Sequence, residues 1–295
     1  MTKQQQKVVL KLQKNKEVYP HHVSKIKLKE THISWIFLTG KFAYKVKKNL
    51  KFGNVLDFST LFLRKKFCQK EVRLNKILCP GMYKDVVKII EEADGSIRIT
   101  NLDYQSRAKT LEYAVMMKEI PQKYRMDYLI RKNIISTKTI TRLAKFLVEF
   151  HRSTPTNTSI MLFGRPKFLK MKIIENFNTL SKLANISPKF QQKLISFITK
   201  NKEIFYERIN QFKIRDIHGD LYLKNIFIVH DKLYLYDRIE FNDSLRFADV
   251  AEDVAHISMD LDHYRKLNLR KHFLSQYIKK SNDNTLDKLI YFWMC

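Results

Sequence analysis

The sequence predicts an α+β protein of two lobes, the first rich in β-strands and the second rich in helices. Three observations carry that expectation. As far as residue 118, apolar residues alternate or gather in short β-branched and aromatic runs broken by turn residues. Past Pro121 they recur at helical spacing. Between the two textures lies one crossing, near Lys118 to Pro121, so residues 1–118 and 119–295 are the expected lobes.

Residues 1–17 are polar and basic, a frayed or helical lead-in. Val23 to Leu28 alternates, Ile33 to Leu38 is aromatic and β-branched, and Phe42 to Val46 returns as a strand after a turn at Thr39-Gly40. Residues 59–79 place Leu61, Phe67, Val72, Leu74, Ile77 and Leu78 at near-helical spacing, with Ser59 as the expected N-cap and Pro80-Gly81 as the stop. Val86 to Ile90 and Ile97 to Leu102 flank Asp94-Gly95 as a hairpin, and Leu111 to Met117 is a further strand. In the second lobe, residues 139–151 are amphipathic through Ile140, Leu143, Leu147 and Phe150. Residues 188–212 hold one or two helices, and 247–262 and 267–280 are helical again.

Composition narrows the function classes. Of 295 residues, 44% are hydrophobic and 12% aromatic, which favours a packed globule over disorder. The net charge of +27 raises the question of nucleic acid, but the basic residues are spread along the chain without an Arg-rich tract. A Lys-rich solvated surface accounts for them, so a nucleic-acid partner is not expected. The three cysteines show no metal-ligand spacing, and their odd number suggests reduced thiols. The opening MTKQQQKVVLKLQKNK lacks the apolar core of a signal peptide, and no apolar run reaches membrane-spanning length. A soluble cytoplasmic protein with no membrane partner is the expectation.

One stretch carries the chemistry: HGDLYLKNIFIVHDKLYLYDRIE, from His218 to Glu240. Asp220 and Asn225 are five residues apart in a polar loop. Two short strands joined by a turn at His230-Asp231-Lys232 would bring Asn225 and Asp237 to the same end of a hairpin, beside Asp220. A carboxylate, an amide oxygen and a second carboxylate are the groups needed to orient a hydroxyl and hold Mg²⁺ on a triphosphate. Each has a plainer reading: Asp220 as a turn residue after Gly219, Asn225 as a cap, Asp237 as a strand-end carboxylate. His218 and His151 read as structural, and the neighbours His21 and His22 would face opposite sides of a strand. Between Asp237 and Asp262 carboxylates far outnumber Arg238 and Arg246, a negative region in a positive protein.

The set Ala43-x-Lys45, Glu71, His218-x-Asp220-x₄-Asn225 and Asp237 resembles the aminoglycoside phosphotransferase-like branch of the protein-kinase superfamily. More closely, THISWIFLTGKFAYKVKK, LDFSTL, FCQKEVRLN, EYAVMM, HGDLYLKNI and IEFNDSLRFADVAEDVAHISMDLD resemble a bacterial family of stand-alone phosphotransferase enzymes, some fused to a C-terminal P-loop kinase-like domain. The likeness spans roughly residues 19–263. It implies a bilobal protein-kinase-like fold and transfer of the γ-phosphate of ATP (or GTP) to a hydroxyl of a small-molecule acceptor. By the same likeness Lys45, braced by Glu71, meets the phosphates. Lys47 shares its strand face, so that choice rests on the Ala-x-Lys match, and Glu71 is otherwise a surface residue of its helix.

Met117, closing EYAVMM, joins the nucleotide residues by the same match. Asn225 and Asp237 would hold Mg²⁺, and Asp220 would orient the acceptor hydroxyl. Glu240, Asp243, Asp249 and Asp253 follow the metal aspartate and are candidates to line the acceptor pocket, which would suit a cationic molecule. Two departures stand out. No glycine-rich loop precedes Ile33, where the turn reads Lys29-Glu30-Thr31-His32, so phosphates would fall to backbone N–H groups and the hydroxyls of Thr31 or Ser34. The apolar Tyr291 to Cys295 resembles the start of a helix that continues in relatives. These departures keep a rival reading in view, a nucleotide-binding regulatory module, and the charge of +27 keeps another, a basic nucleic-acid-associated protein.

Overall fold

The computed structural model describes residues 2–181 and 187–295. They form two compact units: the first runs to Tyr124 and also takes in Tyr234–Asn242, and the second comprises Arg125–Leu233 and Asp243–Cys295.

The first unit begins with helix α1 (Lys3–Lys14) and strands β1 (Lys27–Glu30), β2 (Ser34–Leu38) and β3 (Phe42–Lys47). A small pair, β4 (Lys51–Phe52) and β5 (Leu56–Asp57), leads into helix α2 (Leu61–Leu78). Strands β6 (Tyr83–Glu91), β7 (Ile97–Asn101) and β8 (Lys109–Lys118) complete an antiparallel sheet in the order β1-β2-β3-β8-β6-β7. The two-residue period of β3 separates its side chains by chemistry. Tyr44 and Val46 join Phe37, Val87 and Ile89 in the core under Val8 and Leu12 of α1. Lys45 and Lys47 therefore stand on the opposite face, where α2 packs on β8 and β6.

The basic lead-in is thus a helix with a buried stripe. Its Gln5 donates to the Lys47 carbonyl at 3.0 Å and to Glu112 at 2.9 Å, and Glu112 in turn holds Arg64 of α2 at 2.6 and 3.0 Å. Two expectations shift locally. Strand β1 starts at Lys27 because Val23 is spent in the core as coil. The N-cap of α2 is Thr60, whose hydroxyl accepts the Leu63 N–H at 3.1 Å, while Ser59 donates to Asp57 instead.

The second unit contains α3 (Met126–Arg131), α4 (Thr137–Ser153), α5 (Thr158–Met161), α6 (Pro166–Leu180), α7 (Pro188–Lys200) and α8 (Lys202–Asn210). Strand β9 (Ile214–Asp216) follows, then β10 (Ile226–Val229) and β11 (Lys232–Leu235), joined through His230 and Asp231 with φ of 46° and 61°. Two successive left-handed residues are the signature of a type I′ turn. Strand β12 (Phe247–Asp249) pairs antiparallel with β9, so the helix expected from residue 247 starts only at Val250. It is α9 (Val250–His263), capped by Asp249, whose side chain accepts the Ala251 N–H at 2.9 Å. Helices α10 (Leu267–Ser281) and α11 (Leu286–Trp293) pack against α9. Among the described residues no helix is long and apolar enough to cross a membrane.

The units divide a few residues beyond the expected crossing, and the segment Tyr234–Asn242, which begins within β11, returns to the first. Its reason is chemical. Asp237 and Glu240 pair with lysines of β3, the Arg238 N–H donates to Asn75 of α2 at 3.0 Å, and the Cys79 thiol donates to the Leu235 carbonyl at 2.8 Å.

Candidate functional site

In the first unit, Lys45 and Lys47 project from β3 onto one carboxylate. Glu71 is fully buried on α2, accepting Lys45 through Oε1 at 2.9 Å and Lys47 through Oε2 at 2.6 Å. The returning segment adds the other two acids: Asp237 meets Lys45 at 2.6 Å, and Glu240 meets Lys47. Two ammonium groups thus face three carboxylates. Burial opposes the charge on Lys45, but Asp237, Glu71 and Glu240 outweigh it and hold its pKa well above the usual lysine value. Lys47, also resting on the Phe58 ring at 4.8 Å, is held up in the same way. Burial pushes Glu71 up, yet the two lysines win and keep its pKa low. At Glu240 burial wins over Lys47, and its pKa is raised.

Asp237 differs from its neighbours in exposure and backbone. Its side chain is 50% exposed and its φ is 64°, a conformation that aspartate tolerates better than most residues. Its N–H donates to the Tyr83 hydroxyl at 3.3 Å, so the carboxylate is aimed by a constrained backbone. Of the expected nucleotide residues, Met117 lies buried on β8 opposite Ala43. Thr31 closes the β1–β2 turn: its hydroxyl accepts the Ser34 N–H at 2.9 Å. Ser34 itself is fully buried.

In the second unit, the loop from His218 to Asn225 is pinned from below. Asp253 of α9 accepts the His218 N–H at 2.8 Å and the Gly219 N–H at 3.0 Å. Gly219 has φ +86°, a left-handed turn that lets both N–H groups point at one carboxylate. His151 of α4 donates through Nε2 to Asp253 at 3.1 Å and accepts the Tyr277 hydroxyl at Nδ1, 2.7 Å away. Burial raises the Asp253 pKa, but the bonds from His151 and His218 bring it down to about 2. Asp260 holds the far side of the loop, accepting the Leu223 N–H at 2.7 Å. Within this frame the Asn225 amide donates to both the carbonyl and the carboxylate of Asp220, at 2.9 and 3.1 Å. The amide nitrogen is committed to Asp220, so Oδ1 is the atom of Asn225 suited to a cation.

No family model matches the chain. Uncharacterized proteins of Mycobacterium tuberculosis and Mycobacterium bovis are 26% identical over 264 residues, 88% of this chain, and the chain spans 50% of their length. Among solved structures, the GDP and kanamycin complex of APH(2")-IIia is similar over 99% of this chain and 88% of that one, with a TM-score of 0.52 and 14% identity. The choline kinase from Cryptosporidium parvum Iowa II matches 97% of this chain and 86% of its own, with a TM-score of 0.51 and 12% identity. The fold is that of the aminoglycoside phosphotransferases, a protein-kinase-like fold.

Placed on this kinase-like fold, the carboxylates expected around an acceptor separate by burial. Glu240 is engaged by Lys47 in the first unit. Asp249 is 2% exposed, and both its oxygens accept from Arg208, at 2.5 and 2.6 Å. Asp253 is consumed by the loop. Asp243 keeps a 47% exposed side chain, paired with Arg246 at 2.6 Å. Sequence reasoning did not single out Arg208, which also binds Asp283 at 2.7 Å and the Thr285 hydroxyl at 2.7 Å. A signal was there: Arg208 lies three residues after the buried Phe205 on α8, on the helix face that turns inward.

Proposed function

We propose that this chain is a kinase-type phosphotransferase that moves the γ-phosphate of ATP (or GTP) to a hydroxyl of a small-molecule acceptor in the cytoplasm. One observation carries the reading: a buried-carboxylate platform presents Asp220, and Asn225, five residues on, grips both its carbonyl and its carboxylate. Kinase catalytic loops use the same Asp-to-Asn interval, with the aspartate accepting the acceptor proton and the asparagine serving a metal. Support comes from the fold, shared with a protein solved with GDP and kanamycin and with a choline kinase.

Each residue then has a task. Lys45, kept charged by Asp237 and Glu71, meets the nucleotide phosphates. Asp220 orients the acceptor hydroxyl and takes its proton. Asn225 and the half-exposed Asp237 are hard oxygen donors that fit Mg²⁺, which when bound would neutralise phosphate charge. Recognition of a cationic acceptor falls to Asp243, the exposed member of the four carboxylates.

The test is a nucleotide-consumption screen with MgATP and MgGTP over hydroxylated amines, sugars and aminoglycosides, run beside two variants. Asp220→Asn should lose roughly 10²-fold or more in turnover while nucleotide affinity is kept. Lys45→Met should weaken nucleotide binding in calorimetry. Parental turnover in Asp220→Asn would remove the assignment, and a parent that binds neither nucleotide would remove the function. The glycine-free turn closed by Thr31 and Ser34 favours a second reading, a nucleotide-binding regulatory module. Binding without consumption across the screen would support it.

A further inference from the structure

A cavity of about 200 Å³ lies in the second unit, bordered by Arg152, Lys213, Arg215, His151, Tyr277 and Ser281. No acidic side chain is among the described residues that line it. In a chain of net charge +27, basic residues on an open surface mean little. These three differ in how their charges are met. The Arg152 guanidinium donates to the Lys280 carbonyl at 2.6 Å. Arg215 donates to the carbonyls of Phe212 and Thr154, at 2.9 and 2.8 Å, and to that of Arg152 at 3.3 Å. Both are therefore oriented by neutral oxygens, which fix the groups without cancelling their charge.

Lys213 completes the set. Its nearest carboxylate is Asp283 at 3.8 Å, and Asp283 is already gripped by Arg208 at 2.7 and 3.1 Å. Burial lowers the Lys213 pKa, and Arg208 and Arg152 lower it further against the pull of Asp283 and Asp249. Three cations thus border a recess whose described lining carries no acidic side chain, while the Tyr277 and Ser281 hydroxyls that reach it give their protons to His151 and to the Ile278 carbonyl.

We propose that this recess is a binding site for a small oxyanion of the phosphate class, carried on Arg152, Lys213 and Arg215. A tetrahedral oxyanion fits the volume and accepts from several donors at once, the requirement that two guanidinium groups and an ammonium impose. The site lies behind the His151–Tyr277 pair that holds Asp253, away from the residues assigned to the reaction, and its existence does not depend on that reaction.

Thermal shift and calorimetry on the full chain test it, with sodium phosphate against sodium chloride at matched ionic strength. Phosphate should raise the melting temperature saturably beyond chloride. Lys213→Met should weaken phosphate binding by roughly fivefold or more, in line with the loss of one charge-assisted bond. Ser281→Asp, placing a carboxylate in the recess, should stabilise the protein in chloride and abolish the phosphate increment. Lys45→Met separates this site from the proposed nucleotide site and should keep the increment. Glycerol phosphate as a parallel probe assigns the source: equal affinity points to the bare ion, tighter affinity to a phosphomonoester. Equal shifts in phosphate and chloride, or unchanged binding in both Lys213→Met and Ser281→Asp, would overturn the proposal.

Discussion

Replacing Lys47 with Met tests whether the buried lysine pair on β3 is a real energetic unit. Lys47 meets Glu71 at 2.6 Å and also Glu240, and it lies over the Phe58 ring at 4.8 Å. At an effective dielectric of about 20, the Glu71 contact alone is worth about 6 kcal/mol of Coulomb attraction. Desolvating the ammonium returns several kcal/mol of that. Met conserves the apolar stem, so the variant chiefly removes the charge and leaves Glu240 buried beside the other acids. Loss of one partner of a buried pair costs about 3–5 kcal/mol, which lowers the melting temperature by roughly 10 °C in a protein of this size. Glu240→Gln on the Lys47→Met background should recover much of the loss, because the stranded carboxylate is gone. Urea denaturation of the parent, both single variants and the double variant closes the cycle. A Lys47→Met stability within about 0.5 kcal/mol of the parent, with no coupling to Glu240→Gln, would refute the reasoning.

Asp253 sets an acid limit. Its folded pKa is about 2 against a usual 3.8, so its contribution is present above 3.8 and drains away as pH falls through about 2; on the order of 2 kcal/mol is at stake. Asp253→Asn should flatten the stability–pH profile in that window, read by urea midpoints at several pH values. Arg208→Met should cost about 3–5 kcal/mol by stranding the buried Asp249 and Asp283, measured as a drop in urea midpoint. Gly219→Ala should cost on the order of 1–3 kcal/mol, because φ +86° is unfavourable for a side chain, and a parental midpoint would contradict it. Burial pushes the Cys68 thiol up to about 12 and also raises Cys79, while Cys295 is exposed. Native protein should therefore release one equivalent with Ellman's reagent at pH 8, and all three after unfolding.

Much of the first unit was legible because β2, β3, β6, β7 and β8 carry short apolar, β-branched or aromatic runs bounded by turn residues. Strands β9 and β12 were not, since three residues show no period, and β12 was absorbed into the helix that follows. Helices α5 and α6 were passed over, although Pro166 stands at the first turn of α6. Ser59 and Thr60 are adjacent hydroxyls with equal claim to a cap, and only the Asp57 partner separates them. At the candidate site, Asp220 and Asn225 were readable together because one loop sets their spacing. Glu240, Asp249 and Asp253 were grouped by proximity in sequence. Three-dimensional partners on β3, α8 and α4 give each a different fate, and no local pattern reveals such partners. Lys47 was legible as a neighbour of Lys45 on one strand face, but its pairing with Glu71 and Glu240 was hidden for the same reason.

The return of Tyr234–Asn242 to the first unit has a consequence for how the molecule is made. A fragment ending at Tyr124 holds the sheet and α2 but neither Asp237 nor Glu240. Lys45 and Lys47 would then share Glu71 alone, two charges on one acid in a desolvated site. During translation that imbalance persists while residues 125–233 are added, roughly 5–20 s at ordinary elongation rates. The part of the chain synthesised first is thus not complete until Asn242 is made, and it stays open to rearrangement until a strap from far downstream arrives. For the same reason, grafting the first unit into another protein would require two cuts and a returning segment, because no single junction carries its charge balance along.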